Sequence, residues 1–235
     1  MLRLTLIALL VSPVIAFAAP RPCVEFETNY GKFVVELYPD KAPKTVENFL
    51  QYVDQGFYRG TTFHRVIPRF MIQGGGFNEE YKQKATRGPI QNEANNGLMN
   101  QPYTIAMART YDPHSATAQF FINVQDNKFL NFYRPHPDYY GYTVFGRVIK
   151  GREIVDQISA VPTGRFGPFD SDVPLKPVVI EDANVIEAAT ELAAADSPAA
   201  APVKPDKPVA KPKSKTRPKA AKPKTKAAPA KKPAR

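Results

Sequence analysis

Chemistry that makes or breaks covalent bonds calls for a nucleophile, an acid–base pair or a metal, and this chain of 235 residues offers little for any of them. Its three histidines, His64, His114 and His136, have no partner at a metal-ligand spacing, and Cys23 is the only cysteine. Ser115 stands beside His114, but in a region that reads as a loop. Gly74-Gly75-Gly76 follows a strand-like run, yet no Lys-Ser or Lys-Thr comes after it. A turn needing positive φ, or a close backbone approach, accounts for it better than a phosphate cradle does. No metal or other cofactor is expected. One segment is far more distinctive: Phe63-His64-Arg65-Val66-Ile67-Pro68-Arg69-Phe70-Met71-Ile72-Gln73-Gly74-Gly75. It sets an arginine among aromatic, thioether and amide side chains. Two further runs stand out, Ala118-Gln119-Phe120-Phe121-Ile122-Asn123 and Tyr142-Thr143-Val144-Phe145-Gly146-Arg147-Val148-Ile149-Lys150-Gly151.

These residues need a scaffold, and the pattern supplies short strands. Residues 23–28 and 31–37 read as two strands joined by a tight turn at Asn29-Tyr30-Gly31. Val46, Phe49, Leu50, Val53 and Phe57 then fall on one face of a 3.6-residue period, with Pro43 suited to the first helical turn and Gly56 a stop. Strand-like runs follow at 61–66, 71–74, 104–108, 119–124 and 143–149, separated by Gly, Pro and Asn clusters. A second helix fits 152–160, a last strand 177–180, and Ala-rich 188–195 a frayed helix. Many short strands with two helices point to an antiparallel barrel or sandwich.

The ends of the chain differ from this middle. Arg3 precedes a run of about fifteen apolar residues, short of the about 20 that a membrane-spanning helix needs, and Ala16-Phe17-Ala18 offers a secretory cleavage site. Residues 1–18 are therefore expected to be a signal peptide, which makes the mature protein soluble and periplasmic or otherwise exported. The formal charge of +10 is a sum over unlike parts. From Ser197 onward there are 13 basic residues and one acid, Asp206, with nine of the 24 prolines, while the rest of the chain is slightly acidic. That tail has no aromatic residue, so it buries too little apolar area to offset its ordering entropy. The organisation read here is a signal peptide at 1–18, one folded domain at 19–190, and a disordered basic tail at 191–235.

The three runs, in that order and at those distances, resemble the cyclophilin family of peptidyl-prolyl isomerases, and with the leader they most resemble its bacterial periplasmic members. Lys44-Thr45-Val46-Glu47-Asn48-Phe49 and Ile105-Ala106-Met107-Ala108 fit the same pattern, which spans about 24–187. The resemblance implies a mainly β fold, a closed eight-stranded antiparallel barrel capped by two α-helices. It also implies a site. The family's catalytic arginine falls on Arg65, and its proline pocket on Phe70, Met71, Phe121 and Leu130. Its peptide-contacting glutamines fall on Gln73 and Gln119, and the small residue beside the bound peptide is Ala108. Phe129 stands where many members carry Trp, so weaker cyclosporin binding is expected, and Tyr142 stands where a His is common. Arg109 replaces a common Asn, and 131–140, crowded with Pro and aromatic residues, resembles a local insertion.

The implied reaction suits these residue types. Rotation about X–Pro breaks no covalent bond, so it needs something that weakens C–N double-bond character across a barrier of about 18–20 kcal/mol. A guanidinium donating to the prolyl nitrogen favours the pyramidal form met only near the transition state. An exported isomerase would speed the folding of proline-containing polypeptide clients. The alternative is a peptide-binding chaperone or scaffold without turnover. For the tail, anionic envelope polymers or lipid headgroups are the expected partners, or it is a solvated spacer; nucleic acid is a poor partner for an exported chain. A monomer is expected.

Overall fold

A computed structural model describes residues 21–186. The expected signal peptide, the basic tail and the Ala-rich stretch at 188–195 lie outside the described residues. Strands β1 (Cys23–Thr28) and β2 (Gly31–Leu37) form the first hairpin, followed by α1 (Pro43–Asp54). Next come β3 (Thr61–Thr62), β4 (Arg65–Ile67), β5 (Met71–Gly74), β6 (Thr104–Met107), β7 (Phe120–Asn123) and β8 (Val144–Lys150). The described chain ends with α2 (Arg152–Ser159), a hairpin of β9 (Thr163–Phe166) and β10 (Phe169–Pro174), and β11 (Val179–Ile186).

Nine strands form one curled antiparallel sheet in the order β3-β11-β1-β2-β8-β6-β7-β5-β4. The expected closed eight-stranded barrel is corrected on both counts: the sheet has nine strands, and no ladder joins β3 to β4. The two edges are nevertheless neighbours in sequence, separated only by Phe63 and His64. The expected strand at 61–66 is thus two edge strands, broken where the chain steps from one rim of the curled sheet to the other. The β9–β10 hairpin was not expected at all. Its Gly, Pro and Asp residues read as turn punctuation, and both strands are largely exposed, so no period-two apolar signal exists to reveal them.

The sheet curls around an aromatic core. Phe26 stacks on Phe33 at 4.9 Å between ring centroids, and Phe120 packs against Phe26, Phe49, Tyr58 and Phe63. Helix α1 closes one end with Val46, Phe49, Tyr52 and Val53; Phe57 lies beyond its last turn but still packs on Tyr52 at 4.6 Å. The helix has no capping side chain of its own. Glu93 supplies one from a distant loop, accepting from the backbone N–H of Lys44 and Thr45 and from the Thr45 hydroxyl at 2.7–3.1 Å. A carboxylate there satisfies orphan amides and complements the positive end of the helix.

Candidate active site

Strand register builds the site. Arg65 lies opposite Gln73, Gln73 opposite Phe121, and Phe121 opposite Ala106, so these four form one row across β4, β5, β7 and β6. The adjacent row is Val66, Ile72, Ile122 and Ile105, all fully buried in the main core. Because side chains alternate along a strand, one row seals the core and the next faces outward. On that outer face Met71, Ala106, Phe121, Leu130 and Val144 form a second apolar cluster.

A cavity of about 60 Å³ opens on this cluster, lined by Arg65, Phe70, Met71, Gln73, Phe121, Leu130 and Tyr142. Seven of the ten residues singled out from the sequence therefore meet in one place. The remaining three adjoin it. Gln73 donates through its Nε2 to Gln119 Oε1 at 3.0 Å. The Ala108 N–H donates to the Gln119 carbonyl at 2.9 Å, which holds Ala108 beside the cluster. Phe129 stacks on Phe70 at 5.6 Å but is 74 % exposed and lines a neighbouring groove instead of the cavity. Tyr142 presents its ring to the edge of Phe121, with centroids 5.5 Å apart.

Behind the cavity, asparagines that were not named as site residues hold the backbone of two of its lining residues, Phe70 and Leu130. Asn123 donates to Asn100 Oδ1 and Thr104 Oγ1, Asn127 donates to Asn123 Oδ1 and the Phe70 carbonyl, and Asn100 donates to the Leu130 carbonyl. This buried network ties the loop carrying Phe129 and Leu130 to the β5 side of the site. Asn100 and Asn127 read as loop punctuation, so only their burial distinguishes them from ordinary turn residues, whereas Asn123 ends β7.

Arg65 is half-exposed, and its Nε lies 3.7 Å from the Asp172 carboxylate. Asp172 was also missed, because it comes from the unexpected hairpin. The β9–β10 register shifts between Phe169 and Val173, and within that bulge Asp172 takes φ +65°. A bulge re-aims a side chain, and Asp tolerates the left-handed region better than most residues. Phe169 anchors the same hairpin against His64 and Phe77, the three rings packing in a triangle with centroids 4.6 Å (His64–Phe77), 5.6 Å (His64–Phe169) and 5.2 Å (Phe77–Phe169) apart. Burial, chiefly, holds the His64 pKa down to about 4; nearby Arg65 adds to this and a hydrogen bond with the Thr62 backbone opposes it. His64 is thus a neutral packing group beside Arg65 and no proton donor at neutral pH.

The assembled site offers a guanidinium at the rim of a small apolar cavity, with two linked amides beside it. Comparisons with known proteins point the same way. Residues 23–185 match the model of the cyclophilin type peptidyl-prolyl cis-trans isomerase/CLD family. A peptidyl-prolyl cis-trans isomerase of Streptomyces antibioticus is 60% identical over 163 residues, covering 69% of this chain and 98% of that protein. Peptidyl-prolyl cis-trans isomerase B of Escherichia coli is 57% identical over 162 residues, covering 69% and 98%. The crystal structure of a Cryptosporidium parvum cyclophilin type isomerase, obtained in the presence of the dipeptide alanyl-proline, aligns with a TM-score of 0.56 at 26% identity, covering 70% of this chain and 98% of that one.

Proposed function

The chain belongs to the cyclophilin-type peptidyl-prolyl cis-trans isomerases, and on that premise we propose that Arg65 lowers the rotation barrier of a proline held in the adjoining cavity. The protein is a peptidyl-prolyl cis-trans isomerase that binds proline-containing peptides. Phe70, Met71, Phe121 and Leu130 receive the ring and exclude water from it. Excluding water matters because the planar, polar amide of the ground state is stabilised by solvent, while the twisted one gains from a fixed donor. Gln73 and Gln119 bind the peptide backbone beside Ala108, and Tyr142 and Phe129 complete the wall. The observation that carries this reading is the row in which Arg65, Gln73 and Phe121 stand side by side above one cavity. Action as a monomer is part of the same proposal.

A protease-coupled assay on a short Ala-Pro peptide tests it. Arg65→Ala is expected to lower kcat/KM by about 10²–10³, the loss typical of removing one transition-state donor. Turnover that survives this substitution unchanged refutes the mechanism.

The leader and the Lys- and Pro-rich end carry the biological setting. The domain at 19–190, released from a signal peptide at 1–18, serves the folding of exported proteins, where uncatalysed prolyl isomerisation takes tens to hundreds of seconds. The +12 charge of residues 197–235 binds anionic envelope polymers or lipid headgroups. Truncation after Asp196 is expected to abolish salt-sensitive binding to anionic vesicles while leaving short-peptide turnover intact. Equal, salt-independent retention of both forms refutes a binding tail.

A further inference from the structure

Two features that stood apart in the sequence, the arginine at 109 and the insertion at 131–140, meet in the fold. Arg109 Nε donates to the Gly141 carbonyl at 2.9 Å, Nη1 to the carbonyls of Thr110 and Tyr111 at 2.9 and 3.3 Å, and Nη2 to that of Pro137 at 3.4 Å. Its guanidinium also lies 4.6 Å over the Tyr142 ring. One side chain thus fastens the loop after β6 to the returning end of the insertion. A second tie joins the same two segments, a hydrogen bond between the Tyr111 hydroxyl and the Asp138 carboxylate, which together with that charge raises the tyrosine pKa. The base of the insertion is closed by the Tyr142 N–H donating to the Leu130 carbonyl at 3.0 Å. At that base Gly141 has φ +72°, and a Cβ there would come within 2.6 Å of the backbone at Asn131 and Phe132. A glycine is therefore built into the closure.

The clasp walls a groove of about 580 Å³, within the range of ordinary ligand sites. Leu130 and Tyr142 line both this groove and the smaller cavity, so the two spaces share one partition. The polar groups of the groove are largely spent on holding its wall: the guanidinium on carbonyls, the Asp138 carboxylate on Tyr111, and the Asp138 backbone N–H on His136 Nδ1 at 3.3 Å. What is left for a ligand is aromatic and aliphatic surface, with Phe129 74 % and Tyr111 69 % exposed.

We propose that this groove is a second client subsite, taking a bulky apolar or aromatic side chain from the same polypeptide whose proline sits in the adjoining cavity. The proposal rests on that cavity being the proline site. The ligand is an extended segment of an unfolded chain, because only such a segment presents a proline and an apolar side chain close together and free of tertiary contacts. The continuity of the two spaces across Leu130 and Tyr142 supplies the path.

The test uses the full-length protein and peptides that extend a common Ala-Pro core on either side, with Gly, Leu or Trp scanned through the added positions. Isomerisation is followed by exchange spectroscopy, and binding by the anisotropy of labelled peptides. At one position or more, Leu or Trp is expected to lower KM and Kd by roughly tenfold against Gly, the effect of burying one large apolar side chain. Arg109→Asn, which unfastens the wall, and Tyr111→Ala, at an exposed position, are each expected to bring that ratio close to one. Equal KM and Kd for Gly and Trp at every position overturns the proposal, as does a preference that persists in both variants. Absence of turnover on the core peptide would instead count against the prolyl mechanism, and the groove would then be decided by the anisotropy ratios alone.

Discussion

Acidification should lower the stability of the fold through His64. The residue is 3 % exposed, packed against Phe77 and Phe169, and its Nδ1 has no hydrogen-bond partner among the described residues. Its pKa is about 4 in the fold, against 6.5 in the unfolded chain. Between these values the unfolded chain binds a proton that the folded one refuses. Stability is therefore complete above pH 6.5 and falls as the pH drops toward 4. A gap of about 2.5 pH units corresponds to ~3 kcal/mol, a large share of the roughly 5–15 kcal/mol that holds a typical domain. Urea denaturation of the native protein and of His64→Phe across pH 7.5 to 4.5 measures it. The variant removes the titration and keeps the ring, and the slope against pH is the readout, so an altered baseline stability does not matter. The native protein is expected to lose ~2–3 kcal/mol more than the variant over this range. Parallel curves would refute the reasoning, and so would an imidazole that titrates near 6.5 by NMR. Because His64 stays neutral in the folded protein across this window, its titration should leave the turnover of the folded enzyme unchanged until the pH nears 4.

Two other substitutions separate stability from function. On β7, Phe120 packs in the main core and its neighbour Phe121 lines the cavity. Phe120→Ala should cost about 3–5 kcal/mol in denaturant titrations, whereas Phe121→Ala should show mainly as a raised KM for prolyl peptides; the reverse pattern would mean the faces are misassigned. Asp172→Asn keeps the side-chain volume and removes the charge facing Arg65. It should lower kcat several-fold with little change in melting temperature, and Asp172→Glu should restore part of the loss; a kcat equal to the native one would show that Arg65 is oriented without it.

How much of this was legible in the sequence depends on the range of the signal. The first hairpin, the core face of α1 and strand β5 follow from local periodicity, and the elements are found at those places. Arg65 and its neighbours were legible as a motif, since the residues from Phe63 to Gly75 are contiguous. Asp172 was not: it is more than a hundred residues from Arg65, in a hairpin whose Gly, Pro and exposed polar residues mimic a loop. The asparagine network was equally hidden, because Asn100 and Asn127 look like ordinary turn residues, and Asn123 like any strand end, until their partners are known. The clasp at Arg109 was half visible. The unusual arginine could be seen, but its partners are backbone carbonyls, which every residue carries.

The sequence by itself determined the reaction class, the identity of the arginine and the apolar residues of the cavity, and the order of most elements. These depend on residue type and on relations between near neighbours along the chain. Only the tertiary structure decided that the curled sheet stays unjoined at Phe63 and His64, which strands stand side by side, and hence that Arg65, Gln73 and Phe121 share one row. It also decided that a bulged hairpin carries a carboxylate to Arg65, and that an insertion fastened by Arg109 walls a second groove. Lateral register and packing are set by contacts between segments far apart in the chain. Their free energy comes from burial shared across many residues, and no single stretch of sequence carries that information.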